Sequence, residues 1–152
     1  MKKNFLVLAF IIFGFSLFGN SAFAQKQIEP QIVRDPILEL DAKHNLEVAA
    51  QYFKTKKAYK AVLLRFEETF AAYPEFSRMD EFLYLAGMSS FYLSNNKGKQ
   101  KVNAKLEEDK KFAPEKMRED ATAYLAQLVE NYPQSQYKSG AEKTLQSLKA
   151  VK

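Results

Sequence analysis

Two stretches of this sequence superimpose without a gap. Phe66, Thr69, Phe70 and Tyr73-Pro74 have counterparts in Leu125, Leu128, Val129 and Tyr132-Pro133, each 59 positions further on. A second registration lies between them: Leu46 with Ala49-Ala50, Leu83 with Ala86-Gly87, and Tyr137 with Gly140-Ala141 all place a large residue three and four positions before a small pair. Spacing of three and four marks one face of a helix. A small pair on that face lets a partner helix come close, and a proline ends the helix that carries the Tyr-Pro signature. Helices of the two kinds alternate along the chain, which is the pattern of stacked helical hairpins. The expectation is an all-α fold: a short solenoid of about five helices, two hairpins and a C-terminal capping helix. The residues assigned to packing between repeats are Leu46, Ala50, Phe53, Phe66, Pro74, Leu83, Gly87, Ala121, Leu125, Pro133 and Ala141.

Local signals place the helices. Asp35-Pro36 supplies a cap and a first-turn proline for a helix from about Pro36 to Lys54. A basic connection, Thr55-Lys56-Lys57, leads to a second helix ended by Pro74. Ser77-x-x-Asp80 resembles a capping box for a third, apolar on nearly every side and therefore central. Asn95-Asn96-Lys97-Gly98 breaks that helix. The segment 95–113 is then dominated by charge, with Val102, Leu106 and Phe112 its larger apolar residues, and reads as a mobile insertion. Pro114 opens a fourth helix, closed by Pro133, and a fifth runs from about Ser135 to Leu148.

Over Asp41 to Leu148 this pattern resembles the tetratricopeptide repeat, with Leu46, Ala50, Phe53, Phe66 and Pro74 the best-matched set. The second unit departs from it, since Ser90 stands where an aromatic is usual and the insertion separates its helices. Phe66-Glu67 with Tyr73-Pro74-Glu75-Phe76-Ser77, and Leu128-Val129-Glu130-Asn131-Tyr132-Pro133-Gln134-Ser135, look like the BamD-like branch of the superfamily. The resemblance implies a helical-repeat fold and a place in the bacterial envelope. That branch is related to the outer-membrane β-barrel assembly lipoprotein, which is longer and tethered through a cysteine, and this sequence has none.

The beginning of the chain agrees with export. Met1 to Ala24 combines Lys2 and Lys3, an apolar run from Phe5 to Phe18 and the small-residue end Ser21-Ala22-Phe23-Ala24. That is the pattern of a secretory signal cleaved after Ala24. The apolar run is shorter than the roughly 20 residues a membrane-spanning helix needs. A flexible leader is expected over 25–35 and the repeat domain over 36–150, in the periplasm and without a lipid anchor. The absence of cysteine also excludes disulfides, thiolate zinc sites and thiol nucleophiles within these residues. Without Lys2 and Lys3 the 23 basic residues fall to 21, against 18 acidic ones, too mild an excess to imply nucleic-acid binding.

No catalytic, cofactor or metal residues are identified. His44 is the sole histidine and stands at a polar position of the first helix. Gly98 lies among lysines without the further glycines or the Lys-Ser/Thr pair of a phosphate loop. The lysine run Lys97, Lys99, Lys101, Lys105, Lys110, Lys111 reads chiefly as a solvated loop. Phe53, Phe66, Phe70, Phe91 and Tyr124 are assigned to the core, whereas Tyr52, Tyr59, Tyr84 and Tyr92 are the candidates for partner contact. The expected function is a non-enzymatic interaction scaffold that holds an envelope protein or peptide segment in a concave helical groove, in peripheral contact with an outer-membrane complex. The alternative is a structural subunit of a larger envelope complex, its groove filled by a neighbouring subunit or by its own terminal helix.

Overall fold

Each helix of the array begins and ends for a reason that can be traced to named side chains. The computed structural model describes residues 34–103 and 106–150, within the unit Ile32–Lys152. The expected signal segment and most of the leader lie outside the described residues. Helix α1 spans Pro36–Gln51. The Asp35 carboxylate caps it, accepting from the amides of Ile37 at 2.8 Å and Leu38 at 3.2 Å. The helix was expected to run unchanged to Lys54, but from Tyr52 to Lys56 it widens into a π-helical turn. Lys57, with φ 50°, then takes the left-handed conformation that stops it.

Helix α2 spans Tyr59–Ala72 and ends just before Tyr73-Pro74; α3 spans Met79–Ser94. A short 3-10 helix, Glu107–Phe112, leads into α4, Pro114–Asn131, which ends just before Tyr132-Pro133. Helix α5 spans Lys138–Ala150. The five helices form a short tetratricopeptide-like solenoid in which α1 pairs with α2 and α3 with α4, while α3 also touches α1, α2 and α5. The central position expected for α3 is therefore found: nine of its residues are buried, from Met79 to Leu93.

Phe66 is the hub of the core. It is 1% exposed and meets Phe82 of α3 edge-on at 5.6 Å and Tyr124 of α4 at 4.8 Å. One side chain thus joins three helices, and burying it contributes about 1.5 to 3 kcal/mol. Leu46, Leu83, Ala121, Leu125 and Ala141 are buried. Among the small pairs, Ala49, Ala86, Gly87 and Ala141 are buried, whereas Ala50 is only half-buried. Close packing in the first repeat is therefore made by Ala49. Pro74 and Pro133 are exposed and act on the backbone, not in the core.

Ser77-x-x-Asp80 is not a capping box. No side chain caps the start of α3. The Ser77 hydroxyl and amide both donate to Glu39 in the first turn of α1. Asp80, in the first turn of α3, accepts a 2.6 Å hydrogen bond from the Ser135 hydroxyl. Both serines lie just past a Tyr-Pro pair, so each hairpin is closed by the same device: a hydroxyl from the turn after its second helix bonds a carboxylate at the start of its first.

Candidate functional site

The four tyrosines expected to meet a partner occupy three different environments. Tyr59 is 7% exposed and belongs to the core, which removes it from any open groove. It opens a helix, and Gly98 seats directly on its ring: a Cβ there would lie 2.7 Å from Tyr59 Cδ2. Tyr92 packs beside it at 4.9 Å and Phe53 at 5.6 Å, so the three rings form one cluster at the turn between α1 and α2. Burial, followed by the neighbouring Tyr92 phenol, pushes the Tyr59 hydroxyl above its ordinary pKa, which keeps it neutral.

Tyr84 is covered from within the chain. It stacks on Tyr137 with centroids 5.0 Å apart and planes 23° apart, and Gly140 of α5 comes so close that a Cβ would sit 2.9 Å from the Tyr84 hydroxyl. Thr144, one turn further along α5, donates its hydroxyl to the Gly140 carbonyl and lies 3.4 Å from Met88 Sδ. The terminal helix thus lies on the part of α3 that was expected to be open. Tyr52 is half-buried and is the one of the four with a lysine above its ring, Lys56 Nζ standing 5.1 Å from the ring centre. The structure does not bring the four rings together into one groove.

Sequence reasoning missed the roles of Lys60 and Asp109. The segment expected to stand off the core as a loop is tied to α2 instead. The Lys60 ammonium donates to Asp109 Oδ1 at 2.7 Å and to the Lys101 carbonyl at 2.7 Å, and the Asn103 amide donates to Asp109 Oδ2 at 2.7 Å. Asp109 is 8% exposed and Phe112 4%. The Lys60 ammonium, then the Asn103 amide, holds the Asp109 carboxyl below its ordinary range. Gln100 Oε1 accepts from the Ala61 amide at 3.3 Å, supplying the cap that Ala58 cannot give to α2. A single acid in the middle of a charged run carries no periodic signal, which is why its pairing was not legible.

His44 is exposed. Among the described residues, no group of three or more His, Cys, Asp and Glu side chains is arranged to hold a metal, and no helix is long and apolar enough to cross a membrane.

Helical hairpins with a buried small residue on each first helix, closed by matching Tyr-Pro turns, define a tetratricopeptide-like array of the BamD-like kind. Residues 66–151, running from the Phe66 hub through α5, match the family described as outer membrane lipoprotein, YfiO, and the chain belongs to that family. No curated protein and no solved structure matches it.

Proposed function

We propose that this chain is a non-enzymatic, periplasmic interaction scaffold of the bacterial envelope that binds a protein or peptide segment on its helical array, in the service of outer-membrane protein assembly. The observation that carries the reading is the family match across both Tyr-Pro turns and α5. Envelope location also agrees with the export pattern of Met1 to Ala24. The partner-binding surface is centred on the half-buried Tyr52, since Tyr59 lies in the core, Tyr92 packs among Phe53, Tyr59 and Phe91, and Tyr84 lies under the terminal helix.

A photo-crosslinking residue placed at Tyr52 in living cells tests this. The expected product is an adduct with an outer-membrane assembly protein, absent when the same group replaces Leu64, which is exposed on α2. Equal crosslinking at both positions, or none at Tyr52, overturns the reading. A second reading, a permanent structural subunit, is favoured by Ile37 and Leu40, which are 72% and 66% exposed one turn apart on α1. Recovery of one partner at fixed stoichiometry, resistant to salt, selects that reading over a receptor with exchanging clients.

A further inference from the structure

Two lysine runs far apart in sequence are stitched into one surface. Lys54, Lys56 and Lys57 lie in and after the π-helical turn; Lys97, Lys99 and Lys101 follow α3. The Lys99 amide donates to the Lys57 carbonyl at 3.0 Å, and Lys60 reaches the Lys101 carbonyl, so the runs are held side by side at one end of the array. All six of these lysines are exposed, and none has an ion-pair partner among the described residues. By contrast, Lys60, Lys110, Lys111 and Lys116 each meet a carboxylate, on Asp109, Glu107, Glu67 and Asp120 respectively.

Fold stability does not account for this concentration. The C-terminal ends of α1 and α3 lie here, but so do the N-terminal ends of α2 and α4, so the opposite partial charges of the helix ends cancel and offset none of the six lysines. Glu115 and Glu119 flank Ser94 nearby, with Arg118 beside them, and offset two at most. At the opposite end, where the Tyr-Pro turns lie, the balance is reversed: Asp35, Glu39, Glu75, Asp80 and Glu81 outnumber Arg34, Arg78 and Lys138. The array is therefore polarised along its helices, basic at one end and acidic at the other, which orients it in the field of a charged surface.

The chemistry of the basic end narrows the partner. All six groups are lysines, compact charges on flexible stems, and they lack the planar fork with which arginine grips a single carboxylate. The second run folds round a pocket of about 350 Å³, with Leu93 and Val102 on its apolar side and Asn96, Lys97, Gln100 and Lys101 on its polar side. Polar backbone, amides and ammonium groups there suit a phosphate-bearing head group. We propose that this end docks on an anionic phospholipid bilayer surface, with Lys57, Lys97 and Lys99 at its centre.

The test is cosedimentation of the full-length protein, as recovered from the envelope, with vesicles of phosphatidylcholine alone or containing phosphatidylglycerol. Binding is expected to the anionic vesicles only and to fall away as salt is raised. Each lysine replaced by glutamine should weaken it about fivefold, and Lys57→Gln/Lys97→Gln/Lys99→Gln together on the order of 100-fold. The triple variant should keep its melting temperature, and Lys138→Gln/Lys143→Gln on α5 should bind as the parent does. No binding to anionic vesicles, binding that survives the triple substitution, or capture of an acidic peptide with no vesicle binding overturns the proposal.

Discussion

Gly87 of α3 lies directly against Leu125 of α4: a Cβ at Gly87 would stand 2.6 Å from both Cγ and Cδ2 of that leucine. Leu125 is fully buried, so it has no solvent-side room into which to move. Here the small-residue position of the second repeat meets the apolar stripe of its partner helix, and the backbones can approach only because one side chain is missing. Gly87→Leu is expected to destabilise by about 1 to 3 kcal/mol, the usual cost of overpacking. Gly87→Ala is instructive because alanine gains about 0.5 to 1 kcal/mol of helix propensity over glycine, which the clash must exceed. Thermal unfolding of Gly87→Ala, Leu125→Ala and the double variant should show strong coupling between the sites. Additive effects would mean that the two helices are not limited by this contact.

Gly98 is required for a different reason. Its φ of 111° is one that residues with a side chain rarely adopt, and the ring of Tyr59 occupies the space where a Cβ would project. Gly98→Ala should cost about 1 to 3 kcal/mol by backbone strain alone. Tyr59→Leu removes the ring and with it the steric part. Chemical denaturation of both single variants and the pair separates the two contributions: Gly98→Ala should remain destabilising in the Tyr59→Leu background, because the strain in φ persists there.

Much of the array was legible because its regularities are local. The Tyr-Pro pairs mark the ends of α2 and α4, and three-and-four spacing finds the Phe66 and Leu125 faces. Asp35-Pro36 caps α1 because both the carboxylate and the amides it bonds lie within four residues. What was not legible depends on a distant partner. The pair Ala49-Ala50 gives no hint that Ala49 makes the close contact, since only the neighbouring helix decides which of two adjacent small residues faces it. Ser77 and Asp80 have capping-box spacing, yet each is drawn to a group about 40 or more residues away in sequence. Tyr59 looked like a groove residue until the charged segment closed over it. Apolar periodicity identifies a face, not what covers it.

The ion pair between Lys60 and Asp109 gives the fold a defined response to acid. The Lys60 ammonium, followed by the Asn103 amide, lowers the Asp109 carboxyl from its ordinary value of 3.8. A depressed folded-state pKa means that the unfolded chain binds the proton more readily. The contribution is thus present in full above the unfolded value and is lost as pH falls through the folded one. Asp109→Asn should lower the melting temperature by a similar amount at all pH values from about 5 to 8, with the difference from the parent shrinking below about pH 4. Lys60→Met should follow the same course. A difference that persists undiminished in acid would assign the effect to packing instead of charge.

Shortening 97–111 to a few glycines and serines decides whether this segment belongs to the fold. Loop-closure entropy changes by only about 0.6 kcal/mol per doubling of length, so a loop that merely connected α3 to α4 could be trimmed almost without consequence. The contacts argue otherwise. Trimming removes the Gln100 cap on α2, the backbone bond from Lys99 to Lys57 and the Asp109 partner of Lys60, and it uncovers Tyr59. The cap and the backbone bond alone are together worth about 2 kcal/mol. Lys60, 14% exposed in its side chain, would also lose the carboxylate that balances its charge. The trimmed protein is therefore expected to melt well below the parent, and Gln100→Ala should reproduce part of the loss on its own. If the trimmed chain melts as the parent does, these contacts are not held in solution and the segment is a connection only. If it melts lower but recovers when Gln100 and Asp109 are restored in a minimal loop, the stabilising role is confined to those two anchors, leaving the lysines between them for the surface they present.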